Sequence, residues 1–135
     1  MAETLRLEVV TPTRRVLEAR ASEVRIPGVL GELGVLPGHT PLLTSLGTGH
    51  LTWHEGTQDG CLVVQGGFAE VQPDAVTVLA SIAETVEQID AQEAREALEA
   101  AQEALKTVSA EEFDELDAAA RLAEARLAAA AGGGR

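Results

Sequence analysis

The sequence has little of several residue types, and each scarcity excludes a class of protein. Among its 135 residues there is one cysteine, Cys61, which excludes an internal disulfide and a cysteine-based zinc site. Only Trp53, Phe68 and Phe113 are aromatic, so the core has to be aliphatic. No apolar run approaches the roughly 20 residues that a membrane-spanning helix needs. The first residues lack an apolar stretch of signal-peptide length, and we therefore expect an intracellular protein.

Basic residues are also scarce. The chain has 10 Lys and Arg against 22 Asp and Glu, which gives a formal net charge of -12. A protein that binds nucleic acid needs clustered basic side chains to displace counterions from the phosphates. Direct adsorption to anionic lipid needs the same. The charge balance therefore argues against both kinds of partner.

Composition divides the chain near Glu84. Residues 1–83 contain all 5 prolines and 10 of the 13 glycines, whereas residues 84–131 contain neither. Apolar and polar residues alternate in Leu5–Val9 and Glu23–Ile26, which is typical of half-buried strands. Further candidate strands are Val16–Ala19, Leu42–Leu46, His50–His54, Cys61–Gln65, Phe68–Val71 and Ala75–Ala80. Their spacing predicts an antiparallel sandwich or barrel, and the lack of helical patterns between them argues against a parallel sheet.

The second part of the chain predicts two antiparallel helices. Apolar residues step by three and four along each of them, first at Ala94, Leu98, Ala101, Leu105 and Val108, then at Phe113, Leu116, Ala120, Ala123 and Leu127. Asp90 is placed to cap the first helix, and Ser109 with Glu112 forms a capping-box signature for the second. Because the seam consists mostly of small side chains, it buries little area, and we expect a hairpin that can detach.

No catalytic or metal-binding constellation emerges from the residues. The glycines at 28, 31 and 34 are not followed by Lys-Ser or Lys-Thr, which excludes a P-loop. His50 and His54 have the spacing of helical zinc ligands. On a strand, however, this spacing separates them by about 13 Å, too far for one metal ion.

Two blocks carry a resemblance to a known family. The Gly- and Pro-dense segment Ile26–Thr44 resembles the signature of the epsilon subunit of F-type ATP synthases, called delta in mitochondria. The block Val64–Val71 resembles a strand pair of the same family, with Gln65 where serine is usual. The resemblance covers the whole chain and implies an N-terminal antiparallel β-sandwich followed by a C-terminal two-helix hairpin, with domains at 1–85 and 86–135. From its turn residues alone, the segment around Gly31 and Gly34 is predicted to be a loop.

The resemblance implies a non-catalytic subunit of the central stalk, or rotor. Such a subunit couples ion flow through the membrane ring of c subunits to rotation and ATP synthesis. By matching positions, Thr11, Glu32 and His39 are expected near the c-ring, and other sandwich surfaces are expected to contact the gamma subunit. The hairpin is expected to regulate ATP hydrolysis in the catalytic head of alpha and beta subunits. We expect a peripheral protein at the cytoplasmic face of the bacterial membrane, with its hairpin folded against the sandwich when the chain is isolated.

The hairpin departs from relatives that bind ATP, whose first helix opens with the motif I/L-D-x-x-R-A. Here Ile89–Ala94 places Glu93 at the arginine position, where a carboxylate repels phosphate. The resemblance would assign nucleotide contacts to Asp90 and Arg126, but this replacement argues against them, and no cofactor is expected. Residues 84–135 carry 13 acids and 5 bases, which also argues against strong electrostatic inhibition of an acidic catalytic head.

A second hypothesis belongs to a different class of protein. In it the chain is a stand-alone β-sandwich that binds a small ligand, and the helical hairpin serves for dimerisation. The loop block at 26–44 separates the two hypotheses, because a stand-alone module does not require it.

Overall fold

The computed structural model describes residues 3–132. It contains eight strands, a short 3-10 turn and two helices in this order: β1 Leu5–Val10, β2 Arg15–Ala21, β3 Glu23–Gly28, β4 Gly31–Val35, β5 Leu42–Ser45, β6 Thr48–Glu55, β7 Gln58–Gln72, β8 Ala75–Thr85, the turn Val86–Gln88, α1 Ala91–Leu105 and α2 Ala110–Ala130. The expected class, a β-sandwich followed by two helices, is confirmed.

The strands form an open sheet that folds over on itself. Its order is β2-β1-β8-β7-β6-β3-β4, and β5 pairs with β7 off this path. One pair departs from the expected antiparallel arrangement, since β1 runs parallel to β8, with Leu7 opposite Val76. The other strand pairs within residues 3–132 are antiparallel. The parallel pair joins the first and last strands in chain order, and the strands between them form the long connection that parallel pairing needs, so no βαβ unit is required.

The two strands predicted between residues 61 and 71 are one continuous strand, β7. It bends at Gly66 and Gly67, whose φ angles are 70° and 105°. A Cβ atom on Gly67 would lie 1.9 Å from the carbonyl oxygen of Leu79. At this bend the side of the strand that faces the sandwich core changes from even to odd positions: the core contains Leu62 and Val64 before the bend, and Ala69 and Val71 after it. The glycines therefore let one strand serve both layers of the sandwich.

The prediction of a loop around Gly31 and Gly34 is wrong. Gly31–Val35 is strand β4, which pairs with β3 in an antiparallel hairpin that places Leu33 opposite Ile26. The segment was predicted as a loop from its turn-forming residues. Because β4 lies at the edge of the sheet and buries only Val35, it also lacks the alternating apolar pattern that would have indicated a strand. Its strand conformation depends on main-chain pairing with β3 rather than on side-chain propensity.

The core is aliphatic, as the scarcity of aromatic residues requires. It consists of Leu5, Leu7, Val9, Ala21, Val24, Ile26, Val35, Leu46, Leu51, Leu62, Val64, Ala69, Val71, Val76, Val78 and Ala80. Trp53 packs at its margin, whereas Phe68 and Phe113 are exposed. Burial of these side chains between the layers drives the folding of the sandwich.

The hairpin follows the predicted pattern with two corrections. The Asp90 carboxylate caps α1 by accepting a hydrogen bond from the Glu93 amide at 3.1 Å, as expected. Ser109 is the N-cap of α2, but its side chain makes no capping bond, so the predicted capping box is wrong. Its main-chain oxygen accepts from the Glu112 amide instead.

Phe113 is exposed because it precedes the packed part of the seam. The fully buried residues of the two helices are all alanines: Ala94, Ala101, Ala120, Ala123 and Ala129.

Candidate functional site

The three residues expected near a membrane ring lie on separate parts of the fold. Thr11 is in the turn between β1 and β2, where its hydroxyl donates to the Arg14 carbonyl oxygen at 3.3 Å. Glu32 is on edge strand β4, and His39 is in the loop that follows it. No hydrogen bond or ion pair joins any two of these three residues. They therefore present separate contact points rather than one assembled polar site.

Glu32 belongs to a chain of surface charges on β3 and β4. The Arg25 guanidinium lies 3.0 Å from the Glu32 carboxylate and 3.4 Å from that of Glu23. The hydrogen bond to Glu32 raises the pKa of Arg25 above its ordinary value. Glu23 also lies 3.5 Å from Nε2 of His54. The carboxylate expected to contact a partner is thus paired with Arg25 on the neighbouring strand.

His39 has a defined ring orientation. Its Nδ1 lies 2.7 Å from the Thr40 carbonyl oxygen, which can only accept, so the proton of the neutral ring is on Nδ1. Nε2 is then the nitrogen left to accept a hydrogen bond from a partner. The loop is fixed by the Gly38 amide, which donates to the Pro73 carbonyl oxygen at 2.7 Å.

An exposed apolar surface adjoins Thr11. Phe68 and Leu79 are cross-strand partners on β7 and β8, and their side chains are 53% and 54% exposed. Together with Val10 and Pro12 they line a groove of about 420 Å³ that includes Thr11. At the turn between β3 and β4, Val29 and Leu30 are also exposed. Clustered exposed apolar side chains are typical of protein-protein interfaces.

A second candidate region is the contact between the hairpin and the sandwich. Gln65 donates from Nε2 to the Ala118 carbonyl oxygen at 2.8 Å, and His50 donates from Nε2 to the Ala125 carbonyl oxygen at 2.8 Å. These carbonyls lie two turns apart on α2, so the sandwich binds the main chain of the helix. Val63, which pairs with His50, is fully buried. The sequence did not predict that Gln65 and His50 bind α2, because every residue has a main-chain carbonyl oxygen and the sequence does not show which of them a side chain will contact.

The two residues considered for nucleotide contact, Asp90 and Arg126, are not bonded to each other, although each contacts Glu93. Asp90 caps α1, while the Arg126 guanidinium on α2 pairs with Glu84 at 2.8 Å and with Glu93 at 3.5 Å. The hydrogen bond to Glu84 raises the pKa of Arg126 above its ordinary value. Arg121 pairs with Asp117 on its own helix. Arg126, the arginine considered for nucleotide contact, is therefore already paired with carboxylates of the chain.

His50 and His54 lie on strand β6, as expected, and have separate partners. His50 contacts α2, whereas His54 contacts Asp59 and Glu23. Within residues 3–132, no three His, Cys, Asp or Glu side chains are close enough to hold a metal ion. In the same part of the chain, no helix combines the length and the apolar character needed to cross a membrane.

Comparison with known proteins connects this geometry to a family. Residues 4–86 match the family model described as ATP synthase, Delta/Epsilon chain, beta-sandwich domain. The chain is 55% identical over 85 residues to the ATP synthase epsilon chain of Desulfosudis oleivorans, covering 62% of this chain and 64% of that one. It is 50% identical over 84 residues to the ATP synthase epsilon chain of Solibacter usitatus, covering 62% and 63%. The matching region thus spans less than two thirds of these relatives.

Solved structures extend the similarity to the helices. The fold superposes with a TM-score of 0.82 and 27% identity on a chain of the Euglena gracilis mitochondrial ATP synthase (OSCP/F1/c-ring, rotational state 1), over 95% of this chain and 81% of that one. A chain of the Tetrahymena thermophila mitochondrial ATP synthase central stalk and c-ring shares the fold at a TM-score of 0.52 and 14% identity, over 63% and 69%. Since the family model covers residues 4–86, well over half of the sequence, this chain belongs to the ATP synthase delta/epsilon family.

Proposed function

We propose that this chain is a non-catalytic subunit of the central stalk of an F-type ATP synthase. It couples ion flow through the membrane c-ring to rotation of the gamma subunit and to ATP synthesis in the alpha/beta head. The observation that carries the proposal is the similarity of 95% of the chain, sandwich and hairpin together, to a chain from an assembled mitochondrial ATP synthase. The subunit is peripheral and acts at the cytoplasmic face of the bacterial membrane.

Thr11, Glu32 and His39 are the proposed contacts with the c-ring. The Glu32 carboxylate accepts from basic side chains or main-chain amides of the polar c-subunit loops, and Nε2 of His39 accepts a further hydrogen bond. Arg25 pairs with Glu32 and can donate to the same loops. The contact is therefore polar and orientation-dependent, as transmission of torque requires.

The exposed apolar surface around Phe68 and Leu79 is the proposed contact with gamma. It supplies the apolar area that the separate polar contacts lack. The sandwich, residues 1–85, thereby connects two partners, and the hairpin, residues 86–135, is a regulatory domain that leaves the sandwich to act on the catalytic head.

Reconstitution of the full chain tests this proposal. The chain is added to the cognate head, gamma and c-ring in liposomes, and we expect it to co-purify with gamma and to restore ATP synthesis driven by an ion gradient. The double substitution Phe68→Ser and Leu79→Ser should weaken retention on gamma. Gln72→Ser, an exposed position on the same strand, should leave it unchanged. A chain that binds neither gamma nor the ring and forms dimers would instead support a stand-alone ligand-binding module.

A further inference from the structure

Docking of the hairpin on the sandwich depends on few apolar contacts. The fully buried side chains of α1 and α2 are alanines, which contribute little hydrophobic free energy. The sandwich side of the contact includes polar groups, among them Gln65 and His50. Polar interactions therefore contribute to how firmly the hairpin is held.

One ion cluster joins three elements of the fold. The Arg126 guanidinium on α2 makes a two-point contact with Glu84 on β8, with Nε to Oε1 at 2.8 Å and Nη2 to Oε2 at 3.2 Å. Its Nη1 lies 3.5 Å from Oε1 of Glu93 on α1. The Arg126 and Glu84 side chains are 13% and 21% exposed, whereas Glu93 is 68% exposed.

Glu84 has a cationic partner in this cluster only while the hairpin is docked. Because Glu93 and Arg126 both belong to the hairpin, they leave together when it detaches, and the more buried Glu84 loses its partner. Paired charges that are mostly removed from water are weakly screened by salt, and loss of one partner leaves the other uncompensated. Detachment of α2 removes Arg126 from Glu84, so the pair opposes detachment directly.

We propose that Arg126, Glu84 and Glu93 form a latch that holds the hairpin on the sandwich. In this latch Glu84 anchors α2 to β8, and Glu93 ties α1 to the same guanidinium. Because both anionic partners belong to the chain, docking needs no bound anion. The latch is a property of the isolated chain, and its failure would leave the proposed stalk function untouched.

Hydrogen exchange of the full chain, read by mass spectrometry, tests the latch. We expect Arg126→Gln to accelerate exchange of α1 and α2 amides at least about tenfold, while the buried strands keep their protection. Glu93→Gln should have a smaller effect in the same direction, because that contact is longer and more exposed. Glu99→Gln is the matched control, since Glu99 is an exposed acid of α1 with no ion pair. Exchange of α2 in Arg126→Gln within twofold of the unmodified chain overturns the proposal.

Three further measurements test whether the latch is ionic and whether it depends on a bound anion. The exchanged pair Glu84→Arg with Arg126→Glu should restore part of the protection that Arg126→Glu alone removes, and no restoration refutes an ionic latch. If Arg126→Gln also exposes the core strands, Arg126→Lys carries the test, because it keeps the charge and loses the two-point contact. Inorganic phosphate at millimolar concentration should leave exchange of the unmodified chain unchanged, and protection of α2 by phosphate would contradict an anion-independent latch.

Discussion

Gln65 is the position at which a small change should alter the hairpin without disturbing the sandwich. Its Nε2 donates to the Ala118 carbonyl oxygen on α2 and to the Thr48 hydroxyl on β6, both at 2.8 Å. Gln65→Ser replaces it with a side chain whose hydroxyl is too short to reach α2. The Ala118 carbonyl oxygen can still accept from amides of α2 and the Thr48 hydroxyl can bind water. The substitution therefore leaves neither acceptor buried without a hydrogen bond.

The expected cost follows from the bonds that are lost. A neutral hydrogen bond contributes about 0.5–1.5 kcal/mol net, so loss of the bond to α2 should weaken docking by about 1 kcal/mol, or roughly fivefold in the docking equilibrium. Hydrogen exchange of α2 amides measures this change, and Gln58→Ser on the same strand is the control, because Gln58 is exposed at the far end of β7. Unchanged exchange of α2 in Gln65→Ser would refute the view that polar contacts to the helix main chain hold the hairpin. Equal acceleration in the core strands would refute it as well.

Three more outcomes are expected. Gly67→Ala should destabilise the sandwich by about 2–4 kcal/mol, because φ at this position is 105° and the added Cβ would lie 1.9 Å from a carbonyl oxygen. A lower urea midpoint of unfolding would show this. In the control Gly34→Ala the added Cβ enters open space, so the free energy of unfolding should change by less than about 0.5 kcal/mol. Glu32→Gln should reduce co-sedimentation with c-rings while the urea midpoint stays constant, and undiminished binding would remove Glu32 from the contact. Because docking raises the pKa of Arg126, the ion pair adds stability that is fully present below the ordinary pKa of arginine and is lost only as pH rises through the raised value. Hairpin docking should therefore be constant from about pH 7.5 to 10. Fluorescence energy transfer between the hairpin and the sandwich measures it. Release of the hairpin within that range would show that another group controls it.

Local patterns in the sequence were sufficient for most of the elements. Alternating apolar residues located β1 and β3, and steps of three and four located the seam between the helices. Asp90 was recognised as a cap because capping needs only an acceptor three residues before a free amide. These features depend on neighbours within a few residues, and such neighbours can be read from the sequence.

The pattern of side chains did not predict those strands and strand pairs that depend on main-chain hydrogen bonds between separate segments. Strand β4 was missed because its glycines resemble a loop until β3 pairs with it. The parallel pairing of β1 with β8 was missed for the same reason, since partners so distant in the chain share no local signal.

What the sequence determined by itself is the aliphatic core, the succession of strands and helices and the family to which the chain belongs. Only the tertiary structure decided what the polar residues do. Gln65 and His50 reach helix carbonyl oxygens, and Arg126 meets carboxylates from two other elements. The physical reason is that hydrophobic periodicity repeats along the chain, whereas a hydrogen bond or ion pair requires two particular atoms to meet in space.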